Sequence, residues 1–240
     1  MTYIYGIHPI EEMLLTQKGA VGKVYCKENI KMPDVLRDLL KKTKVPFSFI
    51  PEYKIEALVG DVVHQGVVAE ITPVAFVELD EFIRTLDMDK NPAIVLFDEL
   101  EDPGNVGAII RTGTALGVSG FLFPKHRQVG LSAGVYKSSA GTIGRVPLVR
   151  VGNVNDVLRT LKEKRFWIVG LDGTAPQTLW KEDFAMPIVF VIGGEAEGLR
   201  EKTKELCDFL ISIPMQHGVE SLNASVSTAL VLGEWYRRRV

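Results

Sequence analysis

The sequence is poor in cysteine and lacks the histidine and cysteine spacing that binds zinc. Its 240 residues include two cysteines, Cys26 and Cys207, which lie far apart in the chain. Two distant thiols fit a reducing compartment and provide no disulfide framework. The four histidines are scattered, without ligand spacing to cysteine or to one another. We therefore expect neither a disulfide nor a bound metal ion.

The chain also lacks a long apolar run and the features of a secretory signal. No segment approaches the roughly 18 consecutive apolar residues that a membrane span needs. Residues 1–6 contain no basic stretch followed by a long apolar one, so they do not resemble a signal peptide. These absences predict a cytoplasmic protein with no membrane partner.

Three glycine-based active-site motifs are absent as well. None of the 22 glycines is followed by another glycine two residues later, which excludes the G-x-G-x-x-G fingerprint of dinucleotide-binding folds. No Gly-Lys-Ser or Gly-Lys-Thr sequence of a P-loop occurs, and neither does the G-x-S-x-G elbow of α/β hydrolases. Standard NAD enzymes, P-loop NTPases and typical α/β hydrolases are therefore excluded, and a small-molecule α/β enzyme is disfavoured.

The charge distribution is more informative than the net charge. The composition is globular, with 46% hydrophobic and 24% charged residues and a net charge of −2. Residues 103–155, however, contain no aspartate or glutamate. The same stretch carries the basic residues Arg111, Lys125, Arg127, Lys137, Arg145 and Arg150. It is either a phosphate-binding face or a chance cluster of solvated charges.

The apolar pattern predicts an α/β fold in two parts. In residues 1–72, strands at 21–26, 47–50 and 67–71 alternate with helices at 10–15 and 35–40. Residues 73–92 form an acidic segment between prolines, which predicts a linker with one short helix at 79–86. In residues 93–240, near-continuous apolar strands alternate with helices, which is typical of a parallel sheet with helices on both faces. The predicted strands are 93–97, 120–123, 146–151, 166–171, 188–192 and 209–213, and the helices are 106–116, 132–140, 154–164, 198–206 and 222–239.

The first polar cluster follows strand 93–97 and opens a helix. Gly104 and Asn105 suit the turn and the N-cap of this helix. Arg111 lies about two turns further on, among small and apolar residues. It is either a surface or ion-paired arginine or a fixed guanidinium that grips a phosphate or polarises a hydroxyl group.

The second cluster is a glycine-rich turn after strand 188–192. Gly193 and Gly194 precede Glu195, and Gly198 stands at the start of the next helix. Paired glycines let a ligand approach the backbone closely, but they also occur in ordinary β-to-α turns. Glu195 follows the carboxyl end of a strand, which is where open α/β sheets bind ligands.

The third cluster connects strand 209–213 to the last helix. Ser221 is a suitable N-cap for that helix, which leaves Asn223 without an obvious capping role. The helix itself is strongly apolar. We therefore expect it to be buried, with a second subunit as one candidate partner.

Together the three clusters resemble the SpoU/TrmH family of RNA 2′-O-ribose methyltransferases. The family's N-x-G-x-x-x-R motif is matched by Asn105, Gly107 and Arg111. Its G-x-E-G-x-G motif is matched by Gly193, Glu195 and Gly198, with Ala196 where the family usually has glycine. Its third motif, I-P-M followed by S-L-N-x-S, is matched by residues 213–215 and 221–225.

The N-terminal residues are similar to the substrate-binding extension of the 23S rRNA guanosine 2′-O-methyltransferase branch, at residues 5–12 and 64–69. The resemblance implies an RNA substrate-binding domain at 1–72 of ribosomal-protein-like α/β fold. It implies a catalytic SPOUT domain at 93–240 with a parallel sheet and a trefoil knot, a rare feature among folds. It also implies a homodimer.

The resemblance further implies S-adenosylmethionine as co-substrate and assigns roles to site residues. The expected cofactor-binding residues are Gly193, Gly194, Ile213, Leu222 and Asn223. The expected catalytic residues, facing the target nucleotide, are Arg111, Asn105, Glu195, Ser221 and Asn223. The residues expected to bind RNA are Arg111, Lys125, Arg127, Lys137 and Arg145.

The expected reaction is attack of a ribose 2′-oxygen on a sulfonium methyl group. Because a guanidinium group rarely gives up its proton in proteins, Arg111 is not expected to act as a literal base. We expect it to bind the adjacent phosphate and stabilise developing alkoxide charge. The ribose hydroxyl identifies RNA as the substrate, since DNA lacks it. A guanosine of 23S rRNA is the expected target, and the alternatives are a tRNA substrate or a non-catalytic RNA-binding homologue.

Overall fold

The computed structural model describes residues 2–126, 128–195 and 197–240. The contacts divide the chain into two units. The first extends to Ala75 and includes Leu131–Arg145, and the second consists of Phe76–Gly130 and Val146–Val240. The boundaries predicted from the sequence follow chain order, whereas the contacts group Leu131–Arg145 with the N-terminal residues.

The first unit contains a four-stranded mixed sheet. Its strands are β1 (Thr2–Tyr5), β2 (Val21–Lys27), β3 (Phe47–Ile50) and β4 (Val67–Ile71). The spatial order is β1-β4-β2-β3, in which only β2 and β3 pair in parallel. The helices are α1 (Ile7–Thr16), α2 (Asp34–Thr43), α3 (Glu52–Val59) and, from the later segment, α6 (Ala133–Ser138). The predicted strands and helices of this region are confirmed, while the short elements β1 and α3 were missed.

The second unit contains a parallel sheet of seven strands. The strands are β5 (Val77–Glu78), β6 (Ala93–Asp98), β7 (Gly120–Pro124), β8 (Leu148–Val151), β9 (Trp167–Leu171), β10 (Ile188–Gly193) and β11 (Phe209–Ile211). Their order is β11-β9-β10-β6-β7-β8-β5, and all pairings are parallel. The helices are α4 (Leu79–Arg84), α5 (Pro103–Ala115), α7 (Val154–Glu163), α8 (Glu201–Leu206) and α9 (Ala224–Arg237). The predicted parallel sheet is confirmed.

The central strands of this sheet are buried along almost their whole length. All residues of β6 and β7, and all of β10 except Gly193, are buried. Burying each large apolar side chain contributes about 1.5–3 kcal/mol, so these strands hold their carboxyl ends in fixed positions. Within the described ranges, no helix is long and apolar enough to cross a membrane.

Two helices of the second unit begin differently from the prediction. The N-cap of α5 is Asp102, whose carboxylate accepts hydrogen bonds from the backbone N–H groups of Gly104 at 3.1 Å and Asn105 at 3.0 Å. The prediction that Gly104 and Asn105 supply the turn and cap is therefore wrong, because Asn105 lies inside the first helical turn. The N-cap of α9 is Asn223, and the predicted cap Ser221 lies before the helix.

Candidate active site

A cavity of about 510 Å³ opens at the carboxyl ends of β9, β10 and β11. Ligands of parallel α/β sheets bind at this edge, and small-molecule sites have volumes of roughly 300–1,000 Å³. The walls come from the end of β9, the glycine turn after β10, and the loop between β11 and α9. The residues predicted to bind the cofactor all line it: Gly193, Gly194, Ile213, Leu222 and Asn223.

The glycine turn after β10 is closed by the chain's own backbone. A Cβ atom on Gly193 would lie 2.2 Å from the carbonyl carbon of Gly198, and one on Gly194 would lie 2.7 Å from the carbonyl oxygen of Glu99. The Gly198 N–H donates to the Gly194 carbonyl over 3.0 Å. The two glycines are therefore required by close contacts within the protein, whereas the sequence suggested approach of a ligand. Ala196, the departure from the family pattern, lies outside the described residues.

Three polar side chains, one from each sequence cluster, are joined by hydrogen bonds. Asn105 Nδ2 donates to Glu195 Oε1 over 2.9 Å, and Asn223 Nδ2 donates to Asn105 Oδ1 over 2.8 Å. Asn105 is buried, while Glu195 and Asn223 are exposed and line the cavity. The buried amide thus orients a carboxylate and a second amide at the cavity.

Asn223 has two roles at once. Its Oδ1 accepts hydrogen bonds from the backbone N–H groups of Ser225 at 2.9 Å and Val226 at 3.3 Å, which caps α9. Its Nδ2 is the donor to Asn105. The start of α9 is therefore tied directly to α5. Ser221, predicted as a cap, instead lines the cavity with an exposed side chain.

Arg111 lies on α5, six residues after Asn105 and about 9 Å further along the helix axis. Its side chain is exposed, and it has no hydrogen-bond or ion-pair partner within the part of the chain that the structure describes. It does not line the cavity. The guanidinium is therefore available to an external anion.

The basic residues predicted to bind RNA are divided between the two units. Lys125, in the second unit, is exposed and lines a separate cavity of about 300 Å³. Lys137 and Arg145 belong to the first unit. Arg127 lies outside the described residues.

Lys137 and Arg145, the two predicted RNA-binding residues of the first unit, both have partners within the protein. The Lys137 ammonium donates to the carbonyl of Val63 and lies 4.9 Å from the centre of the Tyr5 ring. Arg145 forms an ion pair with Glu12, and this hydrogen bond raises the pKa of Arg145. An RNA phosphate would have to share these side chains with their present partners.

Two acidic residues at the cavity were not identified from the sequence. Asp172 directly follows β9, and Glu220 lies in the loop before α9. Burial alone would raise the pKa of Asp172, but hydrogen bonds from Lys204, at 2.8 Å, and from Thr174 lower it to about 2. The rule that selected Glu195, a carboxylate after the end of a strand, also applies to Asp172, since predicted strand 166–171 ends one residue earlier.

An ion pair with a buried carboxylate holds the residues that follow the glycine turn. Asp98, the last residue of β6, accepts hydrogen bonds from Arg200 Nη2 at 2.6 Å and from Thr203 Oγ1 at 2.8 Å. Arg200 also pairs with Glu99 at 3.0 Å. Because β6 and β10 are neighbours in the sheet, this ion pair anchors the turn to the strand beside it.

Three side chains of the first unit, all of residue types that can ligate a metal ion, lie close together. The ligand atoms of Glu52, Glu56 and His64 all lie within 4.8 Å of one another. Glu52 already pairs with Lys27 at 2.6 Å, and His64 Nδ1 accepts the Gly66 N–H at 3.0 Å. Metal ligation through Nε2 would need a proton on Nδ1, the atom that accepts this hydrogen bond. Both contacts therefore oppose metal binding here.

Known families match nearly the whole chain. The SpoU rRNA Methylase family matches residues 92–233, which include all three polar clusters of the second unit. The RNA 2′-O ribose methyltransferase substrate binding family matches residues 3–77. The enzyme thus combines a methyltransferase region with a substrate-binding region.

Relatives support the same assignment. The sequence is 37% identical over 240 residues to YacO of Bacillus subtilis, assigned to the TrmH family of tRNA/rRNA methyltransferases, with 99% of this chain and 96% of the relative covered. It is 36% identical over 241 residues to the 23S rRNA (guanosine-2′-O-)-methyltransferase RlmB of Nitrosomonas europaea, with 98% and 91% covered. The solved structure of the SpoU methyltransferase AviRb from Streptomyces viridochromogenes, in complex with AdoMet, superposes with a TM-score of 0.80 at 28% identity and covers 99% of this chain and 89% of that one. This chain therefore belongs to the SpoU/TrmH family and is an S-adenosylmethionine-dependent RNA 2′-O-ribose methyltransferase.

Proposed function

We propose that this enzyme methylates the ribose of a guanosine in 23S rRNA. The observation that carries the catalytic assignment is the hydrogen-bonded group of Asn105, Glu195 and Asn223 at the cavity. The rRNA target is supported by the match of residues 3–77 to a substrate-binding family and by the likeness to RlmB, which is named for 23S rRNA guanosine. A tRNA substrate is the second candidate, because YacO is named for both tRNA and rRNA.

The cavity suits S-adenosylmethionine in size and chemistry. Its volume of about 510 Å³ lies within the roughly 300–1,000 Å³ of small-molecule sites. Apolar side chains of Leu171, Ile192 and Leu222 offer a surface for an adenine ring, and the glycine turn offers exposed backbone groups. The residues that would hold the cofactor are Gly193, Gly194, Ile213, Leu222 and Asn223. When bound, the cofactor supplies an electrophilic methyl group and a good leaving group.

The protein's task is then to place and polarise the ribose hydroxyl. The 2′-oxygen forms a bond to the methyl carbon as the carbon–sulfur bond breaks, and the hydroxyl proton passes to solvent water. The target ribose is oriented at the cavity by Glu195, Ser221 and Asn223. The buried Asn105 fixes Glu195 and Asn223 through its hydrogen bonds. Arg111 binds the neighbouring phosphate and stabilises the developing alkoxide.

We also propose that Lys125, Arg127, Lys137 and Arg145 contact the RNA. The exposed apolar side chains Val226, Leu230 and Tyr236 of α9 favour a homodimer that covers this helix. We further propose that the C-terminal part of the chain forms a trefoil knot and that the enzyme is cytoplasmic.

The test is a methyl-transfer assay with labelled S-adenosylmethionine on unmodified bulk rRNA and tRNA, followed by digestion and identification of the labelled nucleoside. Label in 2′-O-methylguanosine from 23S rRNA, lost in Arg111→Ala, is the expected result. Label only from tRNA would transfer the assignment to the second candidate. Cofactor binding without label from either RNA, including RNA in ribosome-assembly intermediates, would contradict a catalytic role.

A further inference from the structure

The charged side chains that line the cofactor cavity are all acidic. They are Asp172, Glu195 and Glu220, and no lysine or arginine lines it in the described ranges. Asp172 is balanced by Lys204, 2.8 Å away. Glu195 accepts from the neutral amide of Asn105, which leaves its negative charge uncompensated.

Glu220 is the second uncompensated charge. Within the part of the chain that the structure describes, its carboxylate has no hydrogen-bond or ion-pair partner. Its backbone lies near the end of β9, because a Cβ atom on Gly173 would lie 3.7 Å from the Glu220 carbonyl oxygen. This exposed carboxylate therefore lines the cavity without a charged partner in the described ranges.

The two adenosyl compounds of a methyl-transfer cycle differ by one unit of charge. S-adenosylmethionine carries a sulfonium cation, whereas its product S-adenosylhomocysteine has a neutral thioether. A cavity of 510 Å³ is about 10 Å across, which is close to the Debye length of about 8–10 Å, so a lining carboxylate acts on a charge anywhere inside it. The cofactor is thus stabilised relative to the product.

We propose that Glu220 is a specificity-determining residue whose negative charge favours S-adenosylmethionine over S-adenosylhomocysteine. The inference rests on the proposed placement of the cofactor in this cavity. Its consequence is that the spent product is released in preference to fresh cofactor. Glu195 contributes charge as well, but it belongs to the proposed catalytic group, so Glu220 is the residue that isolates the effect.

The test is isothermal titration calorimetry of the full chain with three ligands. They are S-adenosylmethionine, S-adenosylhomocysteine and sinefungin, which carries a protonated amine in place of the sulfonium methyl and transfers no methyl group. Glu220→Gln is expected to weaken both cationic ligands by about two- to five-fold and to leave S-adenosylhomocysteine unchanged. Glu220→Asp keeps the charge and should keep the preference. Glu197→Gln removes an exposed carboxylate that does not line the cavity and should change none of the three affinities.

Two results would overturn the assignment to charge. One is an equal change, or no change, for all three ligands in Glu220→Gln, with thermal unfolding showing that the variant is folded. The other is a wild-type preference that does not fall when the salt concentration is raised to about 0.5 M. If the wild type binds none of the ligands, the placement of the cofactor in this cavity fails, and the inference with it.

Discussion

Asn223 Nδ2 donates a 2.8 Å hydrogen bond to Asn105 Oδ1 across 118 residues of sequence. Asn105 in turn donates from Nδ2 to the Glu195 carboxylate. Only a side chain with both an acceptor and a donor can make these two contacts from one buried position. The amide of Asn105 satisfies both contacts, and Glu195 and Asn223 are oriented through it.

The first prediction concerns Asn105→Asp, which keeps the shape of the side chain but removes the donor. A second carboxylate would then face Glu195 at hydrogen-bonding distance. We expect the free energy of unfolding to fall by about 1–3 kcal/mol, and methyl transfer to fall more strongly than stability. Chemical denaturation and single-turnover kinetics measure the two effects.

The matched control is Asn153→Asp at the N-cap of α7. There the side-chain oxygen accepts backbone N–H groups, and aspartate caps as well as asparagine. We expect a change within about 0.5 kcal/mol and normal activity. Wild-type stability and turnover in Asn105→Asp would contradict the role given to the Asn105 amide.

Sequence reasoning located the site because its residues follow recognisable apolar strands. Glu195 could be placed at a ligand-binding edge from the run at 188–192 alone. The helix caps could not be placed in the same way. Both Asp102 and Asn105 are suitable N-cap residues for α5, and both Ser221 and Asn223 are suitable for α9. Which of the two caps the helix depends on backbone angles that the residue types do not specify.

Contacts between distant segments also could not be predicted from the local sequence pattern. Leu131–Arg145 belongs to the first unit through contacts that no periodicity reveals. The close approach of Gly193 to Gly198 could not be predicted either, because a glycine pair in the sequence does not show which atoms lie near it. The same limit hid the Glu52, Glu56 and His64 group, because the two glutamates lie on α3 and His64 lies in the loop before β4.

The second prediction concerns Gly193→Ala. The added Cβ would lie 2.2 Å from a backbone carbon of Gly198, and backbone cannot move aside without opening the turn. We expect loss of cofactor binding by calorimetry and a destabilisation of several kcal/mol, of the order seen for severe overpacking. Gly152→Ala is the comparison variant, since nothing lies within 4 Å of its Cβ position. Cofactor affinity that survives in Gly193→Ala would show that the turn does not shape the cavity.

The third prediction concerns Arg111. Because this exposed side chain has no partner within the described ranges, its removal should cost less than about 0.5 kcal/mol of stability. If it stabilises the alkoxide and grips phosphate, Arg111→Ala should lower turnover by about 100-fold or more with cofactor affinity unchanged. Arg111→Lys keeps the charge but not the planar fork, so we expect it to remain severely impaired. Near-normal turnover of the lysine variant would rule out the need for a bidentate contact.

The last prediction concerns the acid stability conferred by Asp172. Its pKa is about 2 in the folded protein against an ordinary value of 3.8. A carboxylate whose pKa is lowered by folding stabilises the fold above its unfolded pKa, and this contribution is lost as the pH falls from about 4 towards 2. Asp172→Asn should therefore lower the melting temperature near neutral pH, by the equivalent of about 2 kcal/mol at most, and the difference from the wild type should shrink below pH 4.

The control for this titration is Asp156→Asn, which removes a surface pair with Arg159 whose side chains are 75% and 59% exposed. Such exposed pairs contribute little, so its melting curve should follow the wild type at every pH. Some acid sensitivity will remain in Asp172→Asn, because hydrogen bonds from Arg237 and Arg238 also lower the pKa of Glu234 to about 2. A difference between Asp172→Asn and the wild type that stayed constant from pH 7 to pH 2 would show that Asp172 stabilises the cavity wall through neutral hydrogen bonds, and that its charge pair with Lys204 contributes nothing.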